Sequence, residues 1–283
     1  PKCSCCSAEM KDSGMTEDSE YLTVIPEQYL VVRQLRHKYR CEKCHGDLKT
    51  APLPPRIKAG SGYSDEMIID VGMTKYCDLI PIERYANIAG RGGLKDLPPQ
   101  SLIEATHNLA DFARGAYDKL KQEIVVAPVL HADETPHRML EGDKKSNWFL
   151  WGFSTAKTSY FECHDSRSGD VASALLGNAA CENLVSDVYS GYAKAVRVAN
   201  EKRKNENRPL ISHDYCNAHV RRYFRQAGEK HPQEAKFYVD QYKEIYKRED
   251  EAKDKPPDEV LRIRAEMRPY FAAIRERAMR DLP

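Results

Sequence analysis

The sequence predicts an α/β protein: a mixed sheet with helices packed against it. A small cysteine-bound module and a helical linker precede the sheet, and long charged helices follow it. Three observations carry this expectation. Two Cys-x-x-Cys pairs stand near the start, at 3–6 and 41–44. Three apolar, strand-like segments begin at residue 124. From 170 to 228 short helical and strand-like segments alternate. A strand meander followed by alternating α/β units implies a mixed sheet.

Element by element, residues 1–50 hold the cysteine pairs and two strand-like runs, Tyr21–Ile25 and Tyr29–Leu35. Residues 51–62 are rich in Pro and Gly and read as a linker. Residues 64–89 read as helical, with Met67, Ile68, Val71, Tyr76, Leu79 and Ile82 near helical spacing and Pro81 as an interruption. Ser101 reads as an N-cap with Glu104 completing a capping box, opening a helix to about Gln122. Strands are expected at 124–132, 147–154 and 157–164, a short helix at 170–177, and a strand at 182–186 running into Asp187. A helix at 188–200, a strand at 208–213 and a helix at 216–228 follow. Beyond 231 the chain is charged with helical spacing, broken near Lys255-Pro256-Pro257. The expected domains are 1–50, 51–123 and 124–283.

Lys and Arg (44) nearly balance Asp and Glu (43), so no global field draws the chain to nucleic acid or an anionic membrane; such binding must come from local patches. No apolar run approaches the roughly 18–20 residues of a membrane span. The chain opens on Pro1-Lys2-Cys3, without an apolar leader or an initiator Met, which suggests a piece of something longer. Nine cysteines, clustered rather than spread, suggest metal in a reducing compartment rather than a disulfide framework.

Cys3, Cys6, Cys41 and Cys44 have the spacing of a four-cysteine zinc ribbon, with Cys5 as a rival for Cys3 or Cys6. Four thiolates leave no open position, so such a zinc would be structural. Between the pairs, Arg33, Arg36, Lys38 and Arg40 surround Tyr39, a basic and aromatic stretch suited to phosphate contact.

Asp133 follows the apolar run 124–132, and Asp187 follows the strand-like 182–186. Ligands of open α/β sheets gather at the carboxyl ends of strands. Two carboxylates brought together there repel unless a divalent cation lies between them, and Mg²⁺ suits oxygen donors. Glu134 is the neighbouring rival. Successive strand residues face opposite ways, so only one of the two can point at the site.

Three motifs carry a resemblance. L-H-A-D-E-T-P at 130–136, S-D-x-Y-x-x-Y at 186–192 and C-x-A-H-x-R-R-x-F at 216–224 closely resemble bacterial transposases of the insertion sequence 66 family. I-P-E-Q at 25–28, K-Y-R-C-x-x-C at 38–44 and K-Y-C-D-L-I-P-I-E-R-Y at 75–85 agree with it, in order, over nearly the whole chain. The resemblance implies a zinc-binding domain followed by a ribonuclease-H-like core. It implies DNA cleavage and strand transfer with Mg²⁺ or Mn²⁺ at an Asp-Asp-Glu triad, with Asp133 and Asp187 matching the first two acids. It also implies DNA as partner, a homo-oligomer on that DNA, accessory proteins of the same element, and a bacterial cytoplasmic setting without a membrane.

Two departures stand beside it. The family's third acid lies in a D-N-N-x-x-E-R segment beyond the charged helices, and no such segment occurs up to Pro283. The family also carries an N-terminal helical DNA-binding region ahead of the cysteines. A truncated copy, inactive alone, is therefore expected. Glu244, Glu249 and Glu251 read as a solvated helix face rather than as substitutes. The alternative is a non-enzymatic zinc-ribbon DNA-binding protein with a relic nuclease-like domain.

Smaller signals complete the reading. Cys216 and His219 read as a brace for a helix start beside the acids; a second zinc site with His213 would have only three ligands. Arg221, Arg222 and Arg225 lie on that helix and suit DNA phosphate. His131 shares a strand face with Asp133. Trp148 and Trp151 read as core, Lys202-Arg203-Lys204 as an exposed loop, and Cys77, Cys163 and Cys181 as small buried hydrophobes.

Overall fold

The computed structural model describes residues 1–25, 28–139 and 147–281, so Pro26 and Glu27 of the I-P-E-Q motif, and residues 282–283 at the end of the third expected domain, lie outside it. The chain divides into two compact units, Pro1–Ala113 and Arg114–Pro283. No helix among the described residues is long and apolar enough to cross a membrane.

In the first unit, β1 (Lys38–Arg40) and β2 (Leu48–Thr50) pair antiparallel around the second cysteine turn, and a bridge between Lys2 and Glu9 flanks the first. The runs at 21–25 and 29–35 form no strand among the described residues, contrary to expectation. Apart from Tyr29, whose ring lies against Gly92, most of their apolar side chains are exposed, Leu22 and Val31 almost completely. An apolar run alone does not make a strand without a paired edge and a buried face. The expected helix at 64–89 is two helices, α1 (Asp65–Tyr76), capped by Ser64, and α2 (Ile82–Arg91), with Pro81 at its N-cap. Val71, Ile82, Tyr85 and Leu102 form this unit's core. α3 (Pro99–Val125), in which the division falls, starts with Pro99 rather than after Ser101, whose hydroxyl donates to the Pro98 carbonyl. Proline fits the first helical turn because its missing N–H would be unsatisfied there anyway.

The second unit is built on a five-stranded mixed sheet. β3 (Val129–Arg138), β4 (Asn147–Ser154) and β5 (Ser159–His164) form an antiparallel meander. β6 (Asn183–Ser186) and β7 (Ser212–Tyr215) add in parallel on the far side of β3, giving the order β5-β4-β3-β6-β7. β3 lies five residues later than expected at its start and runs on through Arg138. Ile124 and Val125 finish α3, and Pro128 separates helix from strand.

α4 (Gly169–Leu176) and α5 (Ser190–Asn205) cover one sheet face. Leu130, Ala132, Trp151, Phe153 and Leu184 from the strands pack there with Leu176, Tyr192 and Ala195 from the helices. The two helices approach so closely that a Cβ on Gly169 would collide with the Gly191 carbonyl. Lys202-Arg203-Lys204 belongs to α5 rather than to a loop, and Arg203 is buried. α6 (Asn217–Ala227), α7 (Pro232–Ala252), α8 (Pro257–Ala265) and α9 (Arg268–Asp281) follow, with a separate core of Tyr242, Ile245, Ile263 and Met267 backed by Val220 and Phe224 of α6.

Candidate active site and cysteine turns

Strand register sets the acids. His131 of β3 lies opposite Val185 of β6 in parallel pairing, and that pairing stops there. Two residues further on, Asp133 and Asp187 occupy equivalent positions at the same sheet rim. β6 ends at Ser186 while β3 runs on to Arg138, so Asp187 lies just past its strand's end. The Glu134 N–H donates to Asp133 Oδ1 at 3.0 Å, and the Tyr189 N–H donates to Asp187 Oδ1 at 2.9 Å. Each carboxylate is thus held by one backbone amide, and one oxygen of each takes no part in that bond.

A cleft of about 200 Å³ opens beside Asp133, lined by His131, Gly152, Val185, Cys216 and His219 among others. Gly152 faces Asp133 across the β3–β4 ladder. A Cβ there would press on the Phe161 ring at 3.0 Å, so the glycine makes room for that ring beside the cleft. The Cys216 N–H donates to the Ser186 carbonyl at 2.7 Å and ties the start of α6 to the end of β6. One turn on, His219 Nε2 lies 3.7 Å from Asp133 Oδ2, a contact too long for a hydrogen bond. Its Nδ1 is buried with no hydrogen-bond partner among the described residues. His213 turns instead to the Ser186 hydroxyl at 2.8 Å, and burial lowers its pKa, favouring the neutral ring.

Alternation separates Asp133 from Glu134, as expected. Glu134 points to the buried face, where Arg167 and Tyr192 hold it. Both partners were missed in the sequence. No group of three or more His, Cys, Asp or Glu side chains is assembled for a metal among the described residues. The donors that share the rim are two carboxylates, hard oxygens that fit Mg²⁺ or Mn²⁺ as a partial ligand set. Glu249 pairs with Arg264 of α8 and Glu251 with Arg248 of its own helix α7, so both are engaged in ion pairs.

The two cysteine turns are copies of each other. Ser7 N–H donates to the Cys3 carbonyl at 2.9 Å, and His45 N–H to the Cys41 carbonyl at 3.0 Å. Ser7 and His45, each directly after the second cysteine, adopt the left-handed conformation at φ 59° and 55°. Backbone N–H groups of Cys5 and Cys6 lower the Cys3 thiol's pKa, and those of Cys44 and Lys43 lower that of Cys41. Amides aimed at sulfur favour the thiolate, the form that binds metal. The shared frame matches Cys3 to Cys41 and Cys6 to Cys44, leaving Cys5 in the position of Lys43. The donor chemistry fits zinc, two thiols per turn.

Arg33, Arg36, Lys38 and Arg40 are all exposed. Arg36 donates to the Ala51 carbonyl and Arg40 to that of His45, so both also brace the module. On α6, Arg221 is half-buried against the Tyr246 ring at 5.3 Å, whereas Arg222 and Arg225 are exposed. Cys181 is buried as expected, but Cys77 and Cys163 are exposed. Cys163 lies on edge strand β5, and Cys77 caps the solvent end of α1. Trp151 is fully buried and Trp148 half-buried.

Two family profiles match the chain. One, described as Transposase IS66 family, covers residues 60–281; the other, described as zinc-finger binding domain of transposase IS66, covers residues 1–45. Two curated relatives from Sinorhizobium fredii match as well. The chain is 27% identical over 234 residues to uncharacterized protein y4jD, covering 78% of this chain and 44% of the relative. It is 22% identical over 232 residues to uncharacterized protein y4hP, covering 78% and 40%. The chain thus spans less than half the length of these relatives.

Proposed function

The chain belongs to the IS66 transposase family, and from that premise we propose that it carries the zinc-binding and central nucleolytic parts of a DNA transposase of the Asp-Asp-Glu type. The observation that carries the reading is the register of β3 and β6, which sets Asp133 and Asp187 at equivalent positions on one rim. Three antiparallel strands followed by two parallel ones support a ribonuclease-H-like core.

In this reading Asp133 and Asp187 would hold a divalent ion through the oxygens left free by their backbone amides. When bound, that ion supplies activation of a water or DNA 3′-hydroxyl and stabilisation of charge at phosphorus during in-line displacement. The Glu134 and Tyr189 amides orient the two acids. Gly152 makes room for the Phe161 ring at the cleft wall, and His219 borders the site from α6. Arg222, with Arg225, offers phosphate contacts on that helix; Arg33, Arg36, Lys38 and Arg40 offer them on the cysteine module. Arg221 contributes by packing α6 on α7. Cys3, Cys6, Cys41 and Cys44 would hold a structural zinc. DNA ends and target are the partners, and joining two ends calls for more than one copy of the chain.

Two acids without a third carboxylate among the described residues also favour a second reading, a zinc-bearing DNA-binding protein with a relic core. Calorimetry with Mn²⁺ separates the two. The transposase reading expects a site lost in both Asp133→Ala and Asp187→Ala. Equal Mn²⁺ binding by wild type and both variants would leave only the relic.

A further inference from the structure

We propose that Arg167 is a positioning residue for the acid pair, acting through Glu134 and Tyr189. The inference rests on reading Asp133 and Asp187 as metal ligands. The two amides that hold those acids belong to Glu134 and Tyr189, and the side chains of both converge on Arg167. Its Nε and Nη2 donate to Glu134 Oε1 at 2.8 and 2.6 Å. Its guanidinium lies over the Tyr189 ring, 4.2 Å from the centroid. The Tyr189 hydroxyl donates back to the Arg167 carbonyl at 3.0 Å. The other Glu134 oxygen accepts from Tyr192 at 2.6 Å, one turn along α5.

A continuous path therefore runs from Asp133 through Glu134, Arg167 and Tyr189 to Asp187. It runs alongside the point where β3 and β6 stop pairing, beyond which their ladder no longer fixes the spacing of the two acids. The Glu134 side chain is 1% exposed, so removing the arginine strands a buried carboxyl oxygen without its two donors. Arginine is suited to this double task, because one planar fork both binds the carboxylate and stacks on the ring; lysine pairs without stacking.

The test is Mn²⁺ affinity of the full chain, read by electron paramagnetic resonance of the free ion and restricted to the binding that Asp133→Ala abolishes. Glu134→Gln and Arg167→Met are expected to weaken that binding by about tenfold or more, the usual effect of losing an outer partner of a metal ligand. Arg167→Lys should fall between these and wild type. Leu176→Ala, a fully buried residue of α4 away from this path, should lower thermal stability while leaving Mn²⁺ affinity unchanged. Wild-type affinity in Glu134→Gln and Arg167→Met, with Asp133-dependent binding intact, would overturn the inference and spare the functional reading. Equal weakening in Leu176→Ala would also overturn it, as the effect would be general loosening. Absence of any Asp133-dependent binding in wild type would overturn both.

Discussion

Arg203 supports the strongest stability prediction the structure allows. The side chain is 1% exposed, yet no carboxylate among the described residues pairs with it. Nη1 donates to the carbonyls of Cys181 at 2.8 Å and Pro209 at 2.9 Å, and Nη2 to those of Leu176 at 3.3 Å and Ala179 at 2.5 Å. Two of these acceptors keep another donor when the guanidinium is removed: Leu176 accepts from the Ala179 N–H, and Ala179 accepts from Arg208. The Cys181 and Pro209 carbonyls have no second donor among the described residues. Arg203→Met preserves the side-chain bulk and strands those two, at about 1–3 kcal/mol each. Removing a buried cation returns part of that cost, since burial and the neighbouring Arg208 both act against the charge and lower the Arg203 pKa. The expected net loss is about 3 kcal/mol.

Trp148 and Trp151 both lie in the second unit, so intrinsic fluorescence reports its unfolding. With a urea dependence of about 1–3 kcal/mol/M, the midpoint should fall by about 1–3 M. Arg203→Lys, which keeps the charge but not the fork, should lose less. A midpoint shift below about 0.3 M for Arg203→Met would show that the four contacts do not hold α4 and α5 together as argued.

Three further outcomes follow from the same geometry. Elemental analysis should find one zinc per chain in wild type and in Cys5→Ser, and a reduced content in Cys3→Ser or Cys41→Ser; loss in Cys5→Ser would refute the matched turns. Arg222→Ala should weaken binding of duplex DNA about equally across sequences and lower the slope of log affinity against log salt by about 1, measured by fluorescence anisotropy. Burial works to raise the Glu162 pKa, but hydrogen bonds from Lys121, Tyr160 and His164 outweigh it and hold it below the usual value. A depressed carboxylate stabilises the fold above its unfolded pKa of about 4.3, and that contribution is lost as pH falls through the lower folded value. The stability gap between wild type and Glu162→Gln should therefore narrow as pH falls below about 4.3, in thermal melts run across that range.

The meander and the alternating units were legible because each has an apolar face of the right period, as Leu130 and Ala132 show within β3. The failures have a common physical source in partners distant along the chain. Tyr21–Ile25 and Tyr29–Leu35 are apolar and strand-like, but a strand forms only where another edge meets it. Lys202-Arg203-Lys204 reads as solvated because its composition is charged. Only the carbonyls of Leu176, Ala179, Cys181 and Pro209, gathered from two loops and a helix end, make burial of Arg203 tolerable. Arg167 stands in an S-R-S-G stretch with no local sign of a partner 33 positions upstream.

The acid doublet shows where sequence reasoning stops and topology begins. Period-2 alternation establishes that Asp133 and Glu134 face opposite ways, but not which of them faces the cleft. The deciding fact is which sheet face α4 and α5 cover, and Ala132 and Glu134 lie on that face. Burial there commits Glu134 to Arg167 and Tyr192 and leaves Asp133 on the open side, with His131 and His219. The end of the ladder then follows from a mismatch of lengths: β6 has four residues and β3 has ten, so their pairing ends at His131 and the chain departs at Asp187. A change that extended the β3–β6 ladder past His131 would draw a backbone N–H or C=O to the rim beside Asp133. The short strand is therefore as much a part of the site as the acids themselves.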